Sequence, residues 1–382
     1  MFVCEKCGNS DMLYIGINKK GEYYCRRCIA FQGEMAKNHS IENNGDIVEK
    51  LDYQLSVEQE EISQKVKEAF INKKNSLIYA VCGAGKTELV YKTMAYALNN
   101  KMQVGFTIPR KDVVIELEER IKNAFPNCKV ISLYQNHHQQ LEGDIILLTT
   151  HQLFRYKDYF DLLIIDETDA FPYKGNELLK YFFTHSIRGN YIMMSATPLI
   201  EMIEEIKKNN GEYFTLMKRY HNHPLIVPKI ILMPFFKEIY LIYKIKQFQK
   251  KHLPVLIFAP TIFLVEKIYH QIHLYLKKGN YVHSKREDRD QIIKDFKNNQ
   301  YDYLITSSIL ERGITIKNLQ VIIYEASHKV FDSNSLIQIS GRVGRKIDAW
   351  DGEVIYLCSH INLDIKNSID KIKEANTYVE SM

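Results

Sequence analysis

Nothing in this 382-residue chain constrains its fold as tightly as Ala80-Val81-Cys82-Gly83-Ala84-Gly85-Lys86-Thr87-Glu88. The apolar Leu77-Ile78-Tyr79 leads in, and a helix-forming segment from Leu89 to Leu98 leads out. Strand, glycine turn, Lys-Thr and helix, in that order, are what a bound triphosphate requires. Glycines let backbone N–H groups close around phosphate oxygens, and the helix N-terminus adds the positive end of its dipole. Gly83, Ala84, Gly85 and Glu88 then line a phosphate loop, Lys86 reaches the β- and γ-phosphates, and Thr87 holds Mg2+. Ala80 stands where the usual first glycine would be, so the pattern is met in part.

The flanking pattern is α/β. Short apolar runs at 102–108, 129–133, 144–149, 162–165 and 191–194 alternate with helix-like stretches such as 111–124. Near-continuous apolar strands between amphipathic helices predict a parallel sheet covered on both faces. Ligands of such sheets bind at the C-terminal strand ends. One strand ends in Asp166-Glu167-Thr168-Asp169. A buried acidic pair is unfavourable unless it faces a cation or a cleft. Asp166 therefore completes the Mg2+ site with Thr87, and Glu167 positions and activates the attacking water. Ser195-Ala196-Thr197 closes a further strand. Upstream, Ser56 is an N-cap for a helix running to Phe70, and Gln59 offers a donor and an acceptor to an adenine edge.

The second half repeats the alternation, with strands at 254–260, 281–283, 303–307, 320–324 and 353–357, and helices near 261–276, 286–297 and 333–340. It has no phosphate loop. It offers Gln338-Ile339-Ser340-Gly341-Arg342-Val343-Gly344-Arg345, where two arginines on a helix face suit a phosphate presented from outside. A charged amphipathic stretch, 364–374, predicts a last packing helix.

Cysteine usage defines the N-terminus. Four of the seven cysteines form two Cys-x-x-Cys pairs, Cys4/Cys7 and Cys25/Cys28. In a reducing compartment this spacing reads as a tetrahedral zinc site. Met12 to Ile15 and Glu22 to Tyr24 are expected to pair as strands around Asn18–Gly21, the outline of a zinc ribbon. So short a segment buries too little surface to fold alone, and metal supplies on the order of 10–16 kcal/mol. The expected organisation is a ribbon at 1–35, a polar linker at 36–52, and two α/β domains at 53–215 and 216–382. Residues 1–50 carry seven basic and seven acidic side chains, so the ribbon is no evident cationic clamp, although Lys19, Lys20, Arg26 and Arg27 are local candidates.

The overall balance, 51 basic against 46 acidic residues, is only mildly positive, but 236–300 holds 13 Lys/Arg against 6 Asp/Glu. That surplus reads as a solvated surface or as a phosphate-tracking face. Other candidates for a phosphate backbone are Pro109-Arg110, Thr149-Thr150-His151 and the amide-rich Gln135–Gln140 loop. The pairs His137-His138 and His221/His223 have no nearby Cys or carboxylate partner and are not expected to bind metal. No apolar run approaches the ~20 residues of a membrane span, and the first residues do not read as a secretory signal. A cytosolic protein is expected.

Taken in order, Gln59, Ala80–Thr87, Pro109-Arg110, Thr149-Thr150-His151, Asp166–Asp169, Ser195–Thr197, Phe258–Thr261, Thr306–Gly313 and Gln338–Arg345 resemble the motifs of a superfamily 2 helicase or translocase over roughly residues 52–360. The resemblance implies two tandem RecA-like domains acting on one ATP. Lys86, Thr87, Asp166 and Glu167 come from the first, and Arg342 and Arg345 act as arginine fingers from the second, with Gln338 helping to position water. Thr261 and Thr306 join the nucleic-acid contacts. Asp-Glu-Thr-Asp in place of Asp-Glu-Ala-Asp, and Gln338 in place of His, depart from DEAD-box enzymes and lean towards the branch that resembles PriA. With four cysteines ahead of the motor, the chain is most similar to the ComFA family of competence translocases. That similarity implies an ATPase stimulated by single-stranded DNA, which draws transforming DNA through the inner-membrane channel. It also implies a ComFC-like phosphoribosyltransferase-fold partner and a cytoplasmic place at the inner face of the membrane. Two alternatives stay open: a replication-restart or RNA-remodelling helicase, and a zinc-dependent nucleic-acid scaffold with an inactive motor.

Overall fold

The structure, a computed structural model, describes residues 2–37, 46–51, 53–135, 137, 139–168, 175–198, 200–219, 223–307 and 316–380. Asp169, His138, His221 and the 308–313 part of the Thr306–Gly313 motif lie outside the described residues. The chain divides into two units. The first comprises Met1–Ala80 with Gly85–Leu216, and the second Met217–Met382 with the short Val81–Ala84 stretch.

The first unit begins with a hairpin of β1 (Ile15–Ile17) and β2 (Tyr23–Cys25), paired Ile15 to Cys25. The expected strand from Met12 is displaced. Met12–Tyr14 forms a 3-10 turn instead, because the Asp11 carboxylate accepts the Leu13 N–H and holds the backbone curled until Ile15. The elements α1 (Val57–Ile71), β3 (Ser76–Ala80), α2 (Tyr91–Asn99), β4 (Val104–Ile108), α3 (Lys111–Ala124), β5 (Val130–Leu133), β6 (Ile145–Thr149), β7 (Phe160–Ile165), α4 (Glu177–Ser186), β8 (Ile187–Ser195), α5 (Ile200–Lys208) and β9 (Glu212–Leu216) follow. The seven strands run parallel in the order β5-β6-β4-β7-β8-β3-β9. Every residue of β4 and β6 is buried, as a sheet covered on both faces demands. At the start of α1, Ser56 and Gln59 form a reciprocal capping box.

The N-terminal segment is not a free appendage. Cys4, Cys7, Cys25 and Cys28 are buried in one cluster with Ile131, Phe154, Phe160 and Phe182 of the α/β layer. Within the stretch read as linker, the Ile47 N–H and C=O both bond the Asn99 side chain at the end of α2, at 2.7 and 2.8 Å.

The second unit contains β10 (Lys229–Leu232), α6 (Lys237–Gln249), β11 (Val255–Phe258), α7 (Ile262–His273), β12 (Gly279–Val282), α8 (Arg289–Lys297), β13 (Tyr303–Thr306), β14 (Gln320–Tyr324), α9 (Ser333–Ser340), β15 (Val354–Cys358) and α10 (Leu363–Glu380). Its six parallel strands are ordered β10-β15-β14-β11-β13-β12. Alternation along β11 shows how the sheet is covered: Leu256 and Phe258 enter one core, Val255 and Ile257 the other. The last helix is longer than the 364–374 expected and buries Ile365 and Ile369 beside Leu336 and Ile339 of α9. Several cations of the 236–300 surplus are already paired with acids outside that window. Buried Lys237 meets Glu325, Lys244 meets Glu353 and Lys278 meets Asp302.

Candidate functional site: a phosphate loop, an acidic strand end and a four-thiol cluster

Leu77, Ile78 and Ala80 are fully buried in β3, which anchors the start of the phosphate loop in the sheet. Gly83 and Gly85 take φ of +82° and +75°, values open to glycine but strained for other residues. At Gly85 space is limiting as well, since a Cβ there would lie 2.6 Å from the Gln59 Nε2. Gln59 is therefore packed against the loop, while its Oε1 accepts the Ser56 N–H at 2.8 Å. The Glu88 side chain is buried and faces the helices: it accepts from Arg120 at 2.6 Å. Burial and this carboxylate push the Tyr53 and Tyr91 phenols up.

Lys86 and Asp166 are brought together, Nζ to Oδ1 at 3.9 Å. Asp166 ends β7. Its N–H bonds the Thr107 carbonyl of neighbouring β4 at 3.0 Å, and its Oδ1 accepts the Glu167 N–H at 2.7 Å. Glu167 adopts φ +60°, an uncommon conformation for a non-glycine residue that turns the chain sharply at the strand end. On the next strand, β8, buried Ser195 accepts the Thr197 N–H at 3.0 Å. An ammonium and a hydroxyl at Lys86 and Thr87 after β3, with two carboxylates after β7 on the far side of β8, form a donor set suited to a phosphate–Mg2+ pair: hard oxygens for the cation, a point charge for the anion.

The nucleic-acid candidates of this unit occupy the other half of the same sheet edge. Pro109 and Arg110 follow β4, Thr149 ends β6 with Thr150 and His151 after it, and Ile108 pairs with Thr149 in register. Arg110 is the N-cap of α3. Thr150 is fully buried, and His151 is held against Phe31, where burial lowers its pKa. At the end of β5 the amide-rich loop carries a stacked pair, Tyr134 on His137, with ring centroids 4.7 Å apart.

In the second unit, Thr261 caps α7 by accepting the Leu264 N–H, and Thr306 is buried with its hydroxyl donating to the Ser307 carbonyl. Gln338 lies on α9 and is buried, its Nε2 without a hydrogen-bond partner. Arg342 and Arg345 are not on a helix face, contrary to expectation. The helix stops at Ser340 with Gly341 as its C-cap, and Gly344, at φ +69°, bends the chain between the two arginines. Arg219, a residue that sequence reading passed over, holds this turn. Its buried guanidinium donates to the carbonyls of Gly341, Val343 and Gly344 at 3.3, 3.0 and 2.7 Å.

The four N-terminal thiols fit a tetrahedral metal. Their sulfurs all lie within 4.8 Å of one another, with Cys4–Cys28 at 3.5 Å and Cys7–Cys25 at 3.6 Å. Tetrahedral Zn–S bonds place sulfurs roughly 3.8 Å apart. Burial, with the neighbouring sulfurs, pushes the Cys7 thiol up to about 11. Four buried sulfurs this close together form a donor set suited to a divalent cation.

Comparison with known proteins agrees with both halves. Residues 52–200 match the family described as "Type III restriction enzyme, res subunit", and 237–346 match "Helicase conserved C-terminal domain". Among solved structures, Saccharomyces cerevisiae Dbp5 bound to RNA and ADP BeF3 superposes with a TM-score of 0.63 at 16% identity, over 84% of this chain and 91% of that one. This likeness identifies the RecA-like fold. Competence protein ComFA of Streptococcus pneumoniae is 33% identical over 98% of the chain and 90% of its own length. That of Bacillus subtilis is 31% identical over 98% and 85%. With this identity over nearly the whole chain, and with helicase domains matched in both halves, the chain belongs to the ComFA family of competence proteins.

Proposed function

We propose that this protein is an ATP-driven translocase of single-stranded DNA, which draws transforming DNA inward during natural competence. The observation that carries the reading is the division of one sheet edge. Strands β7, β8 and β3 end in Asp166, Ser195 and the phosphate loop, while β5, β6 and β4 end in the candidate backbone contacts. A change at the nucleotide is thus one strand away from a change at DNA.

In this reading Lys86 binds the β- and γ-phosphates, Thr87 and Asp166 hold Mg2+, and Glu167 orients water and takes its proton. The metal supplies charge neutralisation at the phosphates. Arg342 and Arg345 stabilise charge on the γ-phosphoryl oxygens, and the Arg219 clamp fixes the turn that presents them. Cys4, Cys7, Cys25 and Cys28 hold a structural Zn2+. No helix among the described residues is long and apolar enough to cross a membrane. From its likeness to the ComFA proteins we place the motor at the inner face of the membrane as a peripheral component, alongside the DNA channel and a ComFC-like partner.

The test is ATP turnover with and without an oligodeoxynucleotide. Stimulation is expected, and Lys86→Ala or Glu167→Gln should lower the stimulated rate by at least about a hundredfold. Turnover indifferent to every nucleic acid would refute the proposal. Stronger stimulation by RNA or forked duplex would favour RNA remodelling or replication restart.

A further inference from the structure

The N-terminal ribbon and the Thr149-Thr150-His151 loop meet at one side chain. Phe31 lies three residues past Cys28, on a turn closed by its N–H bonding the Cys28 carbonyl at 3.0 Å. Its ring lies almost parallel to the His151 imidazole, with centroids 6.1 Å apart and planes at 12°. It meets Phe154 and Phe182 edge-on at 5.7 and 5.0 Å. Polar contacts lock the seat from both sides. The Ala36 N–H bonds the Arg155 carbonyl at 2.8 Å, and the buried Arg155 guanidinium donates to the Glu34 carbonyl at 2.8 Å. Gly33 makes room for that guanidinium, since a Cβ there would lie 2.4 Å from it. From the first cysteine knuckle, Lys6 donates to the Phe31 carbonyl and sits over the Phe154 ring at 5.0 Å.

His151, Phe154 and Arg155 all belong to the 3-10 segment Thr150–Arg155, which starts where Thr149 ends β6. Everything that orients Phe31 therefore belongs to the thiol cluster's own turns, to this segment, or to α4 beneath it. The segment is a six-residue 3-10 helix, about two turns with poor hydrogen-bond geometry, and tertiary contacts must supply the rest of its order.

We propose that Phe31 is a positioning residue. Seated by the metal-loaded ribbon on His151, Phe154 and Phe182, it fixes the Thr149-Thr150-His151 loop in the form that grips single-stranded DNA. Metal occupancy and DNA affinity are then thermodynamically linked, and the linkage is reciprocal. This inference rests on the functional reading above for the identity of the ligand. It differs from a direct grip by the ribbon, in which Lys19, Lys20, Arg26 or Arg27 would touch DNA and Phe31 would not matter.

The full-length zinc-loaded protein carrying Phe31→Ala tests it against an oligo-dT probe. Zinc content and the maximal stimulated rate should be unchanged, while the oligonucleotide concentration for half-maximal stimulation rises about three- to tenfold. Amide exchange over Thr150–Arg155 should accelerate. Chelation of the wild type should reproduce both effects, and chelation of Phe31→Ala should add nothing to its loss of affinity. Phe182→Leu, which changes no residue of the ribbon itself, should show the same pattern and serves if Phe31→Ala sheds its metal. Wild-type affinity in both variants, or a full further loss when they are chelated, would overturn the proposal. If the wild type binds no oligonucleotide, the functional reading fails instead, and exchange over Thr150–Arg155 with and without metal still decides whether the ribbon orders that segment.

Discussion

That Lys86 and Asp166 would come together was legible because contiguous residues mark both: glycines that admit positive φ with a lysine behind them, and carboxylates at the end of an apolar run. Arg219 was not legible. It acts on main-chain carbonyls 122 to 125 residues away, and carbonyls carry no signature in a sequence. Its removal leaves buried acceptors unmet, so Arg219→Ala should cost the second unit about 1–3 kcal/mol of stability. It should also slow ATP turnover by displacing Arg342 and Arg345. Arg219→Lys should recover little, because an ammonium cannot span three acceptors as the planar fork does. Thermal melts and turnover check this, and a lysine variant equal to the wild type would rule out the clamp. Glu88 teaches the converse. It was assigned to the nucleotide from its place in the motif, yet the side chain meets Arg120, which ties α3 to the segment behind the loop.

At the scale of elements, strand positions were readable because parallel strands buried on both faces are continuously apolar. The hairpin start was not, because a local Asp11 cap overrides the apolar run Met12 to Ile15. The basic surplus of 236–300 also looked different once folded. Glu353, at the start of β15, accepts from Lys244 of α6 at 3.1 Å and from Lys229 of β10 at 3.4 Å. Burial alone would raise its pKa, and the two lysines outweigh that, so it falls below the usual carboxylate value. A depressed folded pKa stabilises above the unfolded value, and the gain is lost as pH falls through the folded one. Lys244→Met should therefore lower the melting temperature by about 1–3 °C at pH 7. The difference from wild type should shrink towards pH 3. A gap independent of pH would point to packing by the lysine stem instead.

For the whole molecule, the consequential finding is that the thiol cluster shares a core with the first α/β layer. Metal loss cannot then be confined to the ribbon. Cys4→Ser with Cys7→Ser should release zinc and leave both units folded, with faster amide exchange around β5, Thr150–Arg155 and α4 of the first unit and no change in the second. Exchange faster in the ribbon alone would show that the shared core contributes nothing. DNA affinity should fall with added salt, as phosphate contacts dictate.

From its sequence alone the chain was determined as two parallel α/β halves with one glycine-rich Lys-Thr loop after a strand, an acidic strand end and a cluster of four thiols. Each of these follows from local periodicity or from residues adjacent along the chain. Tertiary structure alone decided that Phe31 seats on His151, that Arg219 holds the turn between Arg342 and Arg345, and that Lys237, Lys244 and Lys278 are paired. Those outcomes depend on ring faces, carbonyls and charges that meet only after the intervening chain has folded, and no linear pattern encodes such meetings.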